Sequence, residues 1–283
     1  MNIGLVLAGG MAKGAYQIGV LKAIESFVPR DAIQYISCAS VGVLNGYAYA
    51  TGNMEQGEAM WRDLCGKGGK MLITRVLKSE LLQSYIRDLY RPDHPLSCTF
   101  YTSLMDLEHR NIVYKDLSTV PDAEIPLYLK ASVAMPVYNR SVSIDQKSYY
   151  DGAVVDNIPV YPLLAHDLDY MICVYFDENC SKFESIEVDN RIIKITFPGD
   201  GVLKRSVLFT QESIDTMIRE GYDRALFLLS SMFAKGYDNL EHIYRMIQIA
   251  NHNNKNTGFR ITGDVMVSNI NRIVQKLTKK EIL

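Results

Sequence analysis

The chain has 283 residues, 48% of them apolar, and a formal net charge of −2. That length suits one large α/β domain or two small ones with a full core, and the near-neutral charge gives no electrostatic case for nucleic acid. The five cysteines (Cys38, Cys65, Cys98, Cys173 and Cys180) are odd in number, widely spaced and without a Cys-x-x-Cys pair, which argues against a disulfide framework and a zinc site and makes a reducing, cytoplasmic compartment the default.

Residues 3–8, Ile-Gly-Leu-Val-Leu-Ala, read as a buried first strand. The run has no basic leader and is too short for a signal peptide. It enters a glycine-rich turn, Gly9-Gly10-Met11-Ala12-Lys13-Gly14. Residues 15–27 then carry Ile18, Val20, Leu21, Ile24 and Phe27 at near-helical spacing. Strand, turn and helix repeat over 33–38, 39–40 and 41–50. Two consecutive βα units imply a parallel sheet covered by helices. Amphipathic helices are expected at 54–64 and 79–89. With the segment between them they form a mostly helical cap, about residues 52–96, closed by Pro92 and Pro95. Its Met54, Met60, Trp61, Met71, Leu72, Ile73, Val76 and Leu77 suit either acyl-chain contact or core packing.

Strands are expected at 99–107 and 111–114, joined by a polar turn at Glu108-His109-Arg110, and then at 126–130, 170–176 and 191–197. Helices are expected at 210–233 and 240–250, the second ending in an asparagine-rich loop over 251–258. In 270–283, Ile270, Ile273, Val274 and Leu277 share one helical face, with Arg272, Lys276, Lys279 and Lys280 elsewhere. This is a docked terminal helix with a solvated basic face, or a peripheral membrane helix. No run approaches the ~20 apolar residues of a membrane span, so contact with lipid would be peripheral. No repeat or boundary divides the chain, which reads as a single domain over 1–283.

Ser40 stands at the second strand-to-helix corner, in Ile36-Ser37-Cys38-Ala39-Ser40-Val41-Gly42-Val43-Leu44-Asn45. A serine there is held in a tight turn with its hydroxyl exposed, at the positive end of the following helix. It needs a base. None of the five histidines (His94, His109, His166, His242 and His252) is flanked by a small-residue turn that would aim it at a site, which argues against a Ser-His-Asp triad. Asp151 is the better partner. It follows a strand-like Tyr149-Tyr150 and precedes Gly152, and Asn157-x-Pro159 fixes another turn. An ordinary Asp-Gly hairpin turn is the competing reading. Gly9 to Gly14 lets backbone N–H groups converge on an anion. It is neither Gly-x-Gly-x-x-Gly, because Met11 fills the middle position, nor Gly-x4-Gly-Lys-Ser/Thr. An oxyanion hole needs only one or two such donors.

Together these pieces resemble one family. Gly9-Gly10-x-x-Lys13-Gly14-Ala15-Tyr16-Gln17, Ser40-Val41-Gly42-x-Leu44-Asn45, Ala131-Ser132-x-Ala134-x-Pro136, and Asp151-Gly152-Ala153 with Asn157-x-Pro159 look like the patatin-like phospholipase family, in order and spacing, over about residues 1–235. The resemblance implies a three-layer α/β/α sandwich with a mostly parallel central sheet, plus the helical cap and a C-terminal helical extension over 236–283. It implies a Ser–Asp dyad acyl hydrolase acting on a fatty-acyl lipid, with Ser40 as nucleophile and Asp151 as its partner. The oxyanion hole falls at Gly9, Gly10, Met11 and Ala12, supported by Lys13, Gly14, Gly42 and Gly152. No histidine, metal, calcium or other cofactor is implied.

Two positions depart from the family pattern. Cys38 replaces the first glycine of Gly-x-Ser-x-Gly, and Met11 replaces a third consecutive glycine, which is costly if φ there is positive. These departures motivate the alternative of a catalytically weak lipid-binding or regulatory protein. Transfer of the acyl group to an alcohol or lysolipid, rather than to water, is the alternative within enzymes. Lys13 either steadies an acidic head group or forms a surface salt bridge. The 18 tyrosines suit core and rim packing.

Overall fold

The computed structural model describes residues 1–64, 71–72, 80–136, 138–176, 182–197, 208–254 and 258–280, with the backbone alone at 71–72, 208–209 and 274–280. In chain order the elements are β1 (Ile3–Leu7), α1 (Gly14–Glu25), β2 (Ile33–Cys38), α2 (Val41–Ala50), α3 (Met54–Asp63), β3 (Met71–Leu72) and α4 (Glu80–Leu89). There follow β4 (Thr99–Asp106), β5 (Asn111–Asp116), α5 (Ile125–Ser132), β6 (Val142–Ile144), β7 (Lys147–Asp151), β8 (Tyr170–Tyr175), β9 (Lys182–Phe183), α6 (Ile186–Asp189) and β10 (Ile192–Thr196). Last come β11 (Leu208–Phe209), α7 (Gln211–Met232), α8 (Leu240–Asn253), β12 (Phe259–Arg260) and α9 (Thr262–Lys280).

The central sheet runs β10-β8-β1-β2-β4-β7-β6, with β5 also paired to β4. Strands β10, β8, β1, β2 and β4 are parallel, while β5, β7 and β6 are antiparallel additions. A parallel strand is covered on both faces and therefore reads as a continuous apolar run; all five residues of β1 are buried. Ile3, Leu5 and Leu7 face one core, with α1, α2 and α7. Val6 and Ala8 face a second core with Leu163, Met171 and Phe183. The first layer is helical, and the second is thinner, made partly of 3-10 turns such as Tyr161–Ala165.

The strand expected at 126–130 is instead part of the helix α5. Ile125, Tyr128, Leu129 and Ser132 are buried at helical spacing, and Pro126 sits in the first turn, where a missing N–H costs nothing. The edge strand β6 has no counterpart in the sequence reading. It joins β7 through a two-residue turn in which Asp145 and Gln146 both have positive φ (48° and 65°). That is a hairpin turn without its usual Asn-Gly signal.

Of the cap, α3 and α4 are described. Cys65, Ile73, Val76 and Leu77 and the side chains of Met71 and Leu72 lie outside the described residues, as do Cys180, residues 255–257 of the asparagine-rich loop, and the side chains of Val274, Lys276, Leu277, Lys279 and Lys280. Met60 and Trp61 are buried in the main core, so these two cap residues serve packing.

Helices α1 and α7 cross with their backbones in contact. A Cβ on Gly19 would fall 1.9 Å from the Ile218 carbonyl oxygen, and one on Gly221 would fall 2.1 Å from that of Tyr16. Gly19→Ala or Gly221→Ala must part the helices, with an expected loss of about 1–3 kcal/mol from overpacking. Urea denaturation reads this as a lower midpoint; an unchanged midpoint contradicts the contact.

Candidate active site

Strand pairing alone brings Ser40 and Asp151 together. On β4, Cys38 of β2 pairs with Thr102 and Asp151 of β7 pairs with Leu104. Both Thr102 and Leu104 also pair with β5, at Lys115 and Val113, on the opposite edge. β2 and β7 therefore share one edge of β4, approach it from opposite directions and end two residues apart, about 7 Å along the strand. The chain leaving Asp151 crosses the gap between them. A Cβ on Gly152 would lie 2.4 Å from the Ser103 carbonyl carbon and 2.5 Å from the Leu104 nitrogen, so only glycine fits there.

Ser40 follows β2 and serves as the N-cap of α2, with φ 55° and ψ −134°. A non-glycine residue in that region is strained by roughly 1–3 kcal/mol. The strain persists because the surroundings fix it: Ala39 N–H donates to the Leu7 carbonyl (3.0 Å), and α2 abuts the end of β1. A Cβ on Gly42 would lie 2.6 Å from the Leu7 oxygen. Ser40 is 6% exposed and sits on a tight, strained strand-to-helix turn.

Asp151 is fully buried. It has φ −53° and ψ 120° and ends β7, and Gly152 opens a 3-10 turn, so the hairpin-turn reading does not hold. Its N–H donates to the Ala134 carbonyl (2.9 Å), and its Oδ1 accepts from Ala153 N–H (2.9 Å). Burial raises its pKa from 3.8 to about 7, against the opposing pull of the Ser40 hydroxyl and the Ala153 N–H. The Ser40 hydroxyl thus acts on the carboxyl, yet Oδ2 has no partner of full hydrogen-bond geometry among the described residues. The pair is adjacent but not locked. A carboxyl with a pKa near neutrality is a far better proton acceptor at pH 7 than one at its ordinary value.

The glycine loop lies against this pair. A Cβ on Gly9 would fall 2.4 Å from Asn157 Oδ1 and 2.9 Å from Ser40 Cβ. Gly9 N–H donates to the Asn157 carbonyl (3.1 Å), and Asn157 Nδ2 donates to the Gly9 carbonyl (3.0 Å). The Gly9 N–H is thus engaged, and the loop's remaining donors begin at Gly10. Gly10 packs on Phe176, and Met11 to Lys13 form a 3-10 turn in which Ala12 is buried. Gly14 leaves room for the Trp61 ring. Lys13 Nζ stands 5.7 Å from the centre of the Phe176 ring, a cation–π contact.

A buried amide network fixes the loop from behind. Gln17 Nε2 donates to the Ala8 carbonyl (2.7 Å), Asn45 Nδ2 donates to the Gly14 carbonyl and to Gln17 Oε1 (both 2.9 Å), and Trp61 Nε1 donates to Asn45 Oδ1 (2.8 Å). The sequence reading places Gln17 and Asn45 in the family motifs and Trp61 in the cap, without joining them into this network.

Both family departures are accommodated. Cys38 is buried, and its sulfur lies where a Cβ on Gly46 would be 2.6 Å away, so Gly46 supplies the missing space. Burial pushes the Cys38 thiol well above its ordinary pKa, which keeps it neutral. Met11 does adopt positive φ, 51°, at a cost on the order of 1 kcal/mol relative to glycine. Beside the site lies a cleft of about 570 Å³, lined by residues that include Leu127, Lys130, Ala134, Tyr138, Arg140 and Val142; it meets Asp151 through Ala134, and neither Ser40 nor Asp151 lines it.

A mostly parallel sheet thus ends in a strained serine beside a buried aspartate. The family model for patatin-like phospholipases matches residues 5–164, more than half of the chain, and the chain belongs to this family. Lysophospholipase NTE1 of Cryptococcus neoformans var. neoformans serotype D, in strains JEC21 and B-3501A, is 27% identical over 192 residues. The match takes in 61% of this chain and only 11% of the length of those relatives. The crystal structure of VipD from Legionella pneumophila aligns with a TM-score of 0.51 at 14% identity, over 88% of this chain and 74% of that one, a likeness of fold.

The raised Asp151 pKa has a stability consequence. Between pH ~4 and ~7 the folded state keeps a proton that the unfolded state releases, so this carboxyl's contribution to stability falls as pH rises through that window and levels off above it. Asp151→Asn lacks the effect. Its stability relative to wild type should grow by about 2–3 kcal/mol between pH 5 and pH 8, read by urea denaturation. A constant difference would contradict the raised pKa.

Proposed function

We propose that the chain is a lipid acyl hydrolase of the phospholipase A or lysophospholipase kind, acting through a Ser40–Asp151 dyad and an acyl-enzyme. The observation that carries this reading is a fully buried carboxyl beside a strained serine, with its pKa raised to about 7 and its Oδ2 without a partner of full hydrogen-bond geometry among the described residues. Family membership and the lysophospholipase relative support the choice of substrate.

Asp151 Oδ2 accepts the Ser40 hydroxyl proton as Oγ attacks the ester carbonyl carbon. Negative charge develops on the carbonyl oxygen, where backbone N–H groups of Gly10, Met11 and Ala12 and the N-terminal end of α2 stabilise it. The C–O bond breaks, and the departing alkoxide takes the proton from Asp151. Water then gives a proton to Asp151 while its oxygen attacks the acyl carbon, and Ser40 leaves reprotonated with release of the fatty acid. Among the described residues no helix is long and apolar enough to cross a membrane, and in this reading substrate is met by peripheral contact with a lipid surface. Among the described residues Cys38 and Cys98 are free thiols, which suits a cytoplasmic setting.

Hydrolysis of a lysophospholipid and of a p-nitrophenyl acyl ester tests the scheme. Ser40→Ala and Asp151→Asn should each lower kcat by about 10³-fold or more. Wild-type kcat/KM should fall tenfold per unit below a midpoint near pH 7, because only ionised Asp151 is a base. Equal rates for wild type and Ser40→Ala would remove Ser40 as nucleophile.

A further inference from the structure

The loop from Asp151 to Asn157 connects the two halves of the site, because Asp151 adjoins Ser40 at one end and Asn157 holds Gly9 at the other. Within the loop, Val155 N–H and Asp156 N–H both donate to the Gly152 carbonyl (2.9 and 3.0 Å), so it is a compact turn. Its midpoint is gripped by residues more than a hundred positions later in the chain. Arg260, on β12, sets one guanidinium nitrogen 2.5 Å from Asp156 Oδ1 and another 3.3 Å from the Ile158 carbonyl. Asn269, on α9, donates its amide to the Val155 carbonyl at 2.7 Å.

Asp156 is fully buried and the Arg260 side chain is 10% exposed, so water screens this pair little. The remaining carboxylate sites are filled as well: Tyr114 hydroxyl donates to Oδ2 (2.7 Å) and Ile158 N–H to Oδ1 (3.3 Å). Arg260 is itself fixed. β12 pairs with β9, and the guanidinium lies 5.9 Å from the centre of the Phe183 ring. A planar, forked cation held on a strand end sets a carboxylate's orientation as well as its charge. A buried ion pair is in general weak evidence for stability, whereas geometric definition is its best-supported use. Arg260 and Asn269 also lie outside residues 5–164, the span matched by the family model.

We propose that Arg260 and Asn269 are positioning residues, and that the C-terminal segment from β12 into α9 clasps the 151–157 loop so that Asp151 and the glycine loop are aligned with Ser40. This rests on the reading of Ser40 and Asp151 as the dyad. Neither clasp residue touches the reacting atoms. Each acts through the loop, where displacement of about 1 Å is enough to lower turnover on the order of 10²-fold.

The experiment uses the full chain with four variants: Arg260→Ala, Arg260→Lys, Asn269→Ala, and the charge-neutral double substitution Arg260→Met with Asp156→Asn, which leaves no unpaired buried charge. The readouts are kcat and KM on a p-nitrophenyl ester, the urea midpoint, and amide hydrogen exchange of peptides covering 151–157 and 9–14. Arg260→Ala should lower kcat about 10- to 100-fold with KM within about twofold, and Arg260→Lys should restore part of the loss. Asn269→Ala should lower kcat severalfold. The double variant should recover the urea midpoint but not kcat, and both loop peptides should exchange faster while α1 is unchanged. If kcat recovers with the midpoint, or neither peptide's exchange changes in any variant, the clasp is only structural and the proposal is overturned. Failure of the dyad reading is separable. It would show as full activity in Ser40→Ala, while the exchange readout still reports on the clasp.

Discussion

The carboxyl of Asp151 is enclosed in protein, with Oδ1 held by Ala153 N–H and Oδ2 without a partner of full hydrogen-bond geometry among the described residues, and the site is organised around that burial. An exposed aspartate would sit near its ordinary pKa and accept a serine proton poorly at neutral pH. Enclosure raises its affinity for a proton by about three pKa units, and in the proposed dyad that shift does the work a histidine does in a triad. The enclosure is produced by strand geometry. β2 and β7 end on the same edge of β4, Gly152 passes against Ser103, and Ala134 accepts the Asp151 N–H. None of these features is large. Together they bury the carboxyl completely and set it beside Ser40.

The same geometry explains why strain collects here. Ser40 and Met11 both occupy positive φ, at a cost that the helix–sheet packing around them offsets. The α1–α7 crossing, the Gln17–Asn45–Trp61 network and the Asn157–Gly9 pair of hydrogen bonds act on the backbone to either side of these residues. Their common effect is to prevent relaxation. An elbow free to relax would relieve its own strain and lose its fixed place beside Asp151. An aspartate ionised in so buried a setting likewise makes the fold less stable, and in the proposed dyad that is a trade of stability for function of the kind common at active sites.

Much of this was legible in the sequence where the determinants are local. The run into Ser40, the helix after it and the glycine turn after β1 each lie within a dozen residues, and their periodicity gives the correct elements; residues 41–50 form the expected helix over that same range. Legibility ended where a short window was ambiguous or the partner was distant. Residues 126–130 have too few positions to separate period 2 from period 3.6, and Pro126 favours a first helical turn as readily as an edge strand. β6 was invisible because Asp145-Gln146 makes a turn that usually needs Asn or Gly. Asp151 was legible as a candidate from its motif, but its proton affinity was not, because burial depends on β4 and on Ala134. The grip of Arg260 on Asp156 joins residues 104 positions apart, and no local pattern announces it.

The central claim is that burial gives Asp151 a pKa near neutrality and that the Ser40 hydroxyl acts directly on it. Site-resolved carbon-13 NMR titration of the Asp151 carboxyl, in wild type and in Ser40→Ala, measures both. The expected result is a midpoint at about 7 in wild type and a higher one in Ser40→Ala, because the hydroxyl that favours the ionised form is gone. A wild-type midpoint near 4, or one that does not move when the hydroxyl is removed, would contradict the account.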